Sequence, residues 1–108
     1  HNLLAGPERP TAIFASCDAI ARGVFQAAGK LGLSVPGDLS VVGFDDDTIA
    51  QWLSPGLTTV RQPFEDMGRA AVTLLLELMQ GHTPAERHRV LPVELIVRGS
   101  TAPPPSHA

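Results

Sequence analysis

Cysteine is nearly missing. Cys17 stands alone among 108 residues, which excludes an internal disulfide and a multi-cysteine zinc site and fits a reducing compartment. Positive charge is also short. Eight Lys and Arg against eleven Asp and Glu leave a net charge of −3, whereas a duplex-binding chain carries a basic surplus or stripe. This chain alone is therefore expected to bind no specific DNA. Long apolar runs are missing too. VTLLLELM and VFQAA are the longest, far short of the roughly 20 residues of a membrane helix, and no basic-plus-apolar signal segment opens the sequence. No glycine-rich phosphate loop follows a strand, because Gly23, Gly29 and Gly32 fall within or at the end of a helical segment. No serine has a base or glycine elbow beside it. The sequence contains no internal repeat, and nothing in it argues for an enzyme, a resident metal or a cofactor.

What is present suits one globular domain. The composition is 44% hydrophobic and 18% charged, enough apolar matter for a core at this length. Residues 1–10, HNLLAGPERP, read as a lead-in. Residues 11–15 are a short apolar run that suits a buried strand. Asp18 is expected to cap a helix whose apolar residues Ile20, Val24, Ala27, Ala28 and Leu31 recur at helical spacing and which ends at Gly32. Residues 40–44 make a second strand candidate, and a short helix is expected over 48–53, stopped by Ser54-Pro55-Gly56. Residues 58–62 are rich in β-branched side chains and read as a third strand. Residues 64–80 give the clearest helix, with Phe64, Met67, Ala71, Leu74, Leu75 and Leu78 along one stripe. Residues 89–98 are a last strand candidate, placed at an edge or bulge by Pro92. The proline-rich segment 101–108 is expected to be disordered.

Strands alternating with helices predict an α/β fold with a mostly parallel sheet flanked by helices. The strands are apolar throughout, as expected when both sheet faces are covered.

The chemistry-bearing residues gather at strand ends. Asp45, Asp46 and Asp47 stand just past the second strand, at the edge where open α/β sheets bind ligands. Their carboxylates can accept from a sugar hydroxyl or a purine N–H, or can cap the next helix and face water. If Asp45 points toward a ligand, Asp46 is expected to point away by the strand's period of two. Cys17 ends the first strand segment, where it can line a pocket or simply pack. Trp52 can stack on a ligand, anchor an interface or fill the core. His82 and His88 are expected to be solvated. The only lysine, Lys30, closes a helix, so no phosphotransfer set is completed.

The segments RPTAIFASCDAIARGVFQAAGKLGLSVPGDLSVVGFDD, LTTVRQPFEDMGRAA, LLLELMQG and VLPVELIVRGST resemble the bacterial lactose-repressor/galactose-repressor family over about residues 9 to 102. Periplasmic sugar-binding proteins of ABC transporters are the alternative; they share the GFD turn but usually lack the LTTVRQP block. The resemblance implies the C-terminal lobe of a periplasmic-binding-protein-like, effector-binding domain in a cytoplasmic transcription regulator, usually a repressor. It also implies a truncated match. Residues 11–100 would be part of that domain, the helix over 64–81 would belong to an otherwise missing N-terminal lobe, and DNA would be bound only through a missing N-terminal helix-turn-helix. On this resemblance the effector is a small sugar or purine-like molecule, and Asp45, Cys17, Gln62 and Phe64 are its candidate contacts. A homodimer is implied through Arg22 and Phe25 on the first long helix and Ile49, Trp52 and Leu53 on the short one. With that lobe missing, the apolar stripe of the helix over 64–80 is expected to be buried by further copies of the chain.

Overall fold

The computed structural model describes residues 1–84 and 86–106. They divide into two compact units. The first takes residues 1–61 together with the segment from Glu94 onward, and the second is Gln62–Val93.

The first unit is an α/β sheet assembly. Strand β1 (Ala12–Phe14) leads into helix α2 (Asp18–Lys30), strand β2 (Ser40–Val42), the short helix α3 (Thr48–Trp52) and strand β3 (Thr59–Arg61); strand β4 (Glu94–Ile96) follows after the second unit. Strands β1 and β2 pair in parallel, with Ala12 beside Ser40 and Phe14 beside Val42. Strands β3 and β4 pair antiparallel, with Thr59 beside Ile96 and Arg61 beside Glu94. Two isolated parallel bridges, Val42–Thr58 and Asp45–Arg61, join the end of β2 to β3. The order is therefore β1, β2, β3, β4, mostly parallel as the alternation of elements predicted.

The core lies where α2 and α3 meet the inner strands. Ala21, Ala28, Leu39, Val41, Ala50 and Leu57 are buried. Helix α2 ends as its sequence requires: Gly32 follows at φ 72°, a left-handed position that glycine occupies without a Cβ penalty. Ser100 is also buried. Its hydroxyl accepts from Thr58 N–H at 2.8 Å and donates to Val41 O at 2.6 Å, while Val41 N–H donates to the Ser100 carbonyl at 2.9 Å.

Several expectations need correction. The lead-in contains a four-residue helix, α1 (Asn2–Ala5), whose Leu4 is buried. The strands are three residues each, shorter than the apolar runs suggested. Both faces of the sheet are not covered: Phe14 of β1 is 66% exposed and Leu95 of β4 is 61% exposed. These two strands are outermost in the order and have a neighbour on one side only. Asp18 does not cap α2. Cys17 holds that position without a side-chain bond, since the Asp18 carboxylate turns back toward the sheet. Order also extends past Ser100. The Thr101 and Thr58 hydroxyls share a hydrogen bond at 3.1 Å, and Ala102 N–H donates to Ser40 Oγ at 3.0 Å. Residues 107 and 108 lie outside the described residues.

The second unit holds helix α4 (Phe64–Met79) and the returning segment that follows it. Gly81 ends the helix at φ 79°. No residue of α4 is buried. Phe64, Met67, Leu75 and Leu78 are exposed and Leu74 is half-buried, so the stripe read from the sequence stays open within this chain. His82 and His88 are exposed. Among the described residues no helix is long and apolar enough to cross a membrane.

Candidate functional site

The parallel pairing brings Cys17 and Asp45 to the same edge of the sheet. Phe14 and Val42 are paired at the ends of β1 and β2, and each candidate lies three residues beyond its strand end. Ala15 N–H donates to Val42 O at 2.8 Å and Asp18 N–H to Phe44 O at 3.0 Å, which carries the pairing into the two loops. Both Cys17 and Asp45 are half-buried. This is the carboxyl edge of the parallel strands, where open α/β sheets take their ligands.

The turn over residues 43–47 has an unusual backbone. Asp45 sits at φ 120° and Asp46 at φ 57°. Such values cost a non-glycine residue about 1–3 kcal/mol each, least for short polar side chains. The alternation expected of Asp45 and Asp46 does not apply here, because neither residue has strand geometry. Five contacts hold the turn against the strain. Asp45 N–H donates to Val60 O at 2.9 Å. Asp46 accepts from Arg61 Nε and from Arg98 Nη2, each at 2.7 Å. Asp47 N–H donates to Asp18 Oδ2 at 2.7 Å. Thr59 Oγ1 donates to Asp18 Oδ1 at 2.6 Å and accepts from Asp46 N–H at 3.4 Å.

These contacts give the three acids separate tasks. The Asp46 side chain is 5% exposed and is spent on two arginines. Burial works to raise its pKa, but the hydrogen bonds from Arg61 and Arg98 outweigh it and hold the carboxyl below the ordinary 3.8. The same contact raises the pKa of Arg61. Asp47 stands at the start of α3 and accepts from the N–H of the next residue, Thr48, at 2.7 Å. Asp45 is the acid whose backbone is fixed at the strand edge, its N–H donated to Val60 O.

Sequence reasoning missed the supporting residues. Asp18 is 1% exposed and ties α2, β3 and the turn together. Arg98 also donates Nη1–H to Leu57 O at 2.9 Å. Nothing local marks Asp18, Thr59 or Arg98, whose partners are about 30 to 50 positions away. Gly43 was the available signal, since a side chain there would collide with Asp18 and Leu57.

Gln62 and Phe64 belong to the second unit, where Gln62 lines a cavity of about 320 Å³ with Met67, Leu74, Arg89, Leu91 and Val93. Phe64 is exposed. Arg22 is exposed, and Phe25, Ile49 and Leu53 are half-buried. Trp52 is 80% exposed, which removes the core reading for it. Among the described residues no group of three or more His, Cys, Asp or Glu could hold a metal ion.

The chain is similar to several known proteins. A family model described as a periplasmic binding protein-like domain matches residues 1–101. The HTH-type transcriptional repressor CytR of Escherichia coli is 45% identical over 101 residues, which are 94% of this chain and 30% of that protein. A lactose operon repressor of Rhizobium radiobacter is 45% identical over 103 residues, 95% of this chain and 90% of that sequence. The crystal structure of a periplasmic binding protein/LacI transcriptional regulator from Alkaliphilus metalliredigens, complexed with D-xylulofuranose, superposes with a TM-score of 0.79 at 33% identity, covering 85% of this chain and 34% of that one. The chain thus spans about a third of the length of CytR and of the solved structure.

Proposed function

Because this chain belongs to the lactose-repressor/galactose-repressor family, with its periplasmic-binding-protein-like fold, we propose that it is the effector-binding and dimerising part of a cytoplasmic bacterial transcription regulator. The regulator is a repressor whose DNA affinity is set by a small sugar- or nucleobase-like effector. The curated relatives are repressors, so the transporter alternative is set aside, and no catalytic step is assigned.

The observation that carries this reading is the fixed turn at the carboxyl edge of β2. Asp45 offers a carboxylate there, with its main chain held by Val60. A carboxylate accepting from an effector hydroxyl or ring N–H contributes about 1.5–3 kcal/mol. Cys17, beside it, presents a small side chain that leaves room for the ring. Gln62 and Phe64 are proposed as further contacts. An effector shifts a regulator only by binding its two states unequally, and a rigid acceptor discriminates between states better than a mobile one. DNA contact is proposed for a helix-turn-helix elsewhere in the polypeptide, and the homodimer for Arg22, Phe25, Ile49, Trp52 and Leu53.

Calorimetric titration of the full polypeptide with lactose, D-xylulofuranose, and panels of mono- and disaccharides and nucleosides tests the reading. Binding of one compound class is expected, with a matching change in operator affinity. Binding that Asp45→Ala leaves unchanged would remove Asp45 from the site, and no binding across the panels would overturn the effector class.

A further inference from the structure

We infer that Asp18 and Thr59 are positioning residues that lock the turn over residues 43–47, and so fix where the Asp45 carboxylate stands. The inference rests on the reading of Asp45 as an effector contact, but its structural half is independent of any ligand.

The argument starts from burial. A carboxylate 1% exposed must be fully hydrogen-bonded or its desolvation is uncompensated. Asp18 meets this need with donors from one region: Thr59 Oγ1 on Oδ1 and Asp47 N–H on Oδ2. Thr59, itself fully buried, uses its second lone pair on Asp46 N–H. One acid and one hydroxyl thus hold the amides of the two residues that follow Asp45. Their sites of attachment are α2 and β3, regular elements of the sheet unit. Gly43, before the turn, leaves the space that Asp18 occupies. Asp18 needs no role as a cap, since α2 starts without one. A group kept only for packing would not be ionisable, and one kept only for solubility would not be buried.

The test is amide hydrogen exchange of the full polypeptide, paired with conservative variants. Thr59→Val keeps shape and removes the hydroxyl; Thr59→Ser keeps the hydroxyl. Thr59→Val is expected to accelerate exchange at Asp46 and Asp47 at least tenfold, while the core amide of Val41, bonded to Ser100, changes less than threefold. Thr59→Ser is expected to retain slow exchange at all three. Asp18→Asn, which keeps the shape of the side chain but weakens one acceptor, is expected to fall between them. Uniform acceleration of turn and core amides would overturn the inference, as would Thr59→Ser behaving like Thr59→Val. Compounds that bind in the titration above are expected to lose at least tenfold affinity with Thr59→Val and keep it with Thr59→Ser. If Asp45→Ala leaves their affinity unchanged, the effector reading fails while the exchange result still decides the lock.

Discussion

Arg98 and Asp46 are 52 positions apart in sequence and 2.7 Å apart in the fold. Arg98 binds one oxygen of Asp46 and Arg61 binds the other, so a single carboxylate ties the turn after β2 to both β3 and the segment that follows β4. Paired charges of this kind contribute when all their partners are present, and removing one partner leaves the rest costly.

The pH dependence follows from that contact. Asp46 is held below 3.8 in the folded chain. Its stabilisation is therefore complete above the ordinary carboxylate pKa and is lost as the pH falls through the lower folded value. Asp46→Asn should unfold at lower urea concentration at pH 7, by about 1.5–3 kcal/mol. Urea titrations at successively lower pH should show this gap closing below pH 3.8. A gap that persists there would mean that shape, not charge, holds the turn.

Asp45→Gly separates backbone from side chain. At φ 120° glycine relieves strain, so thermal stability should hold or rise by up to about 1 kcal/mol. Effector affinity should nevertheless fall about tenfold or more, the scale of one hydrogen bond to a charged group. Scanning calorimetry and titration of the same sample check both halves.

Gly43→Ala should be damaging for its size. A Cβ built there comes to 2.8 Å from a Leu57 methyl carbon and collides with an Asp18 carboxylate oxygen. Overpacking of this kind costs about 1–3 kcal/mol. Chemical denaturation should show that loss, while Gly23→Ala, at an open position of α2, should stabilise by about 0.5–1 kcal/mol.

Trp52→Glu tests the proposed dimer. The indole is 80% exposed beside Ile49, and an exposed aromatic on a twofold interface is a place where one charge disrupts both copies. Light scattering should report a monomer for the variant and a dimer for the parent. Equal masses would remove α3 from the interface.

Local sequence carried the element order well, because each helix has its own apolar spacing and its own stop: Gly32 after α2, Gly81 after α4. It also carried Asp45 and Cys17 to one edge, since parallel strands deliver their following residues to the same end. It failed at Asp18. A carboxylate at a helix start reads as a cap by every local rule, and only the partners Thr59 and Asp47, distant in sequence, give it another task. Asp46 failed for the same reason. Its alternation with Asp45 presumed a strand, and the two arginines that override that geometry lie 15 and 52 positions away. The covered sheet faces failed at Phe14 and Leu95 because apolar composition records what a strand could bury, not which neighbours stand beside it.

The sheet unit is closed by residues that follow the whole second unit in the chain. Ser100 bonds Val41 and Thr58, and Arg98 bonds Asp46 and Leu57, yet the whole second unit is synthesised between these partners. A nascent chain that has emerged only as far as β3 thus carries the strained turn with one of its two arginines and an inner strand without its serine. Completion of the sheet therefore waits for Arg98 and Ser100, and a ribosome paused within α4 would hold the turn with Arg61 but without Arg98.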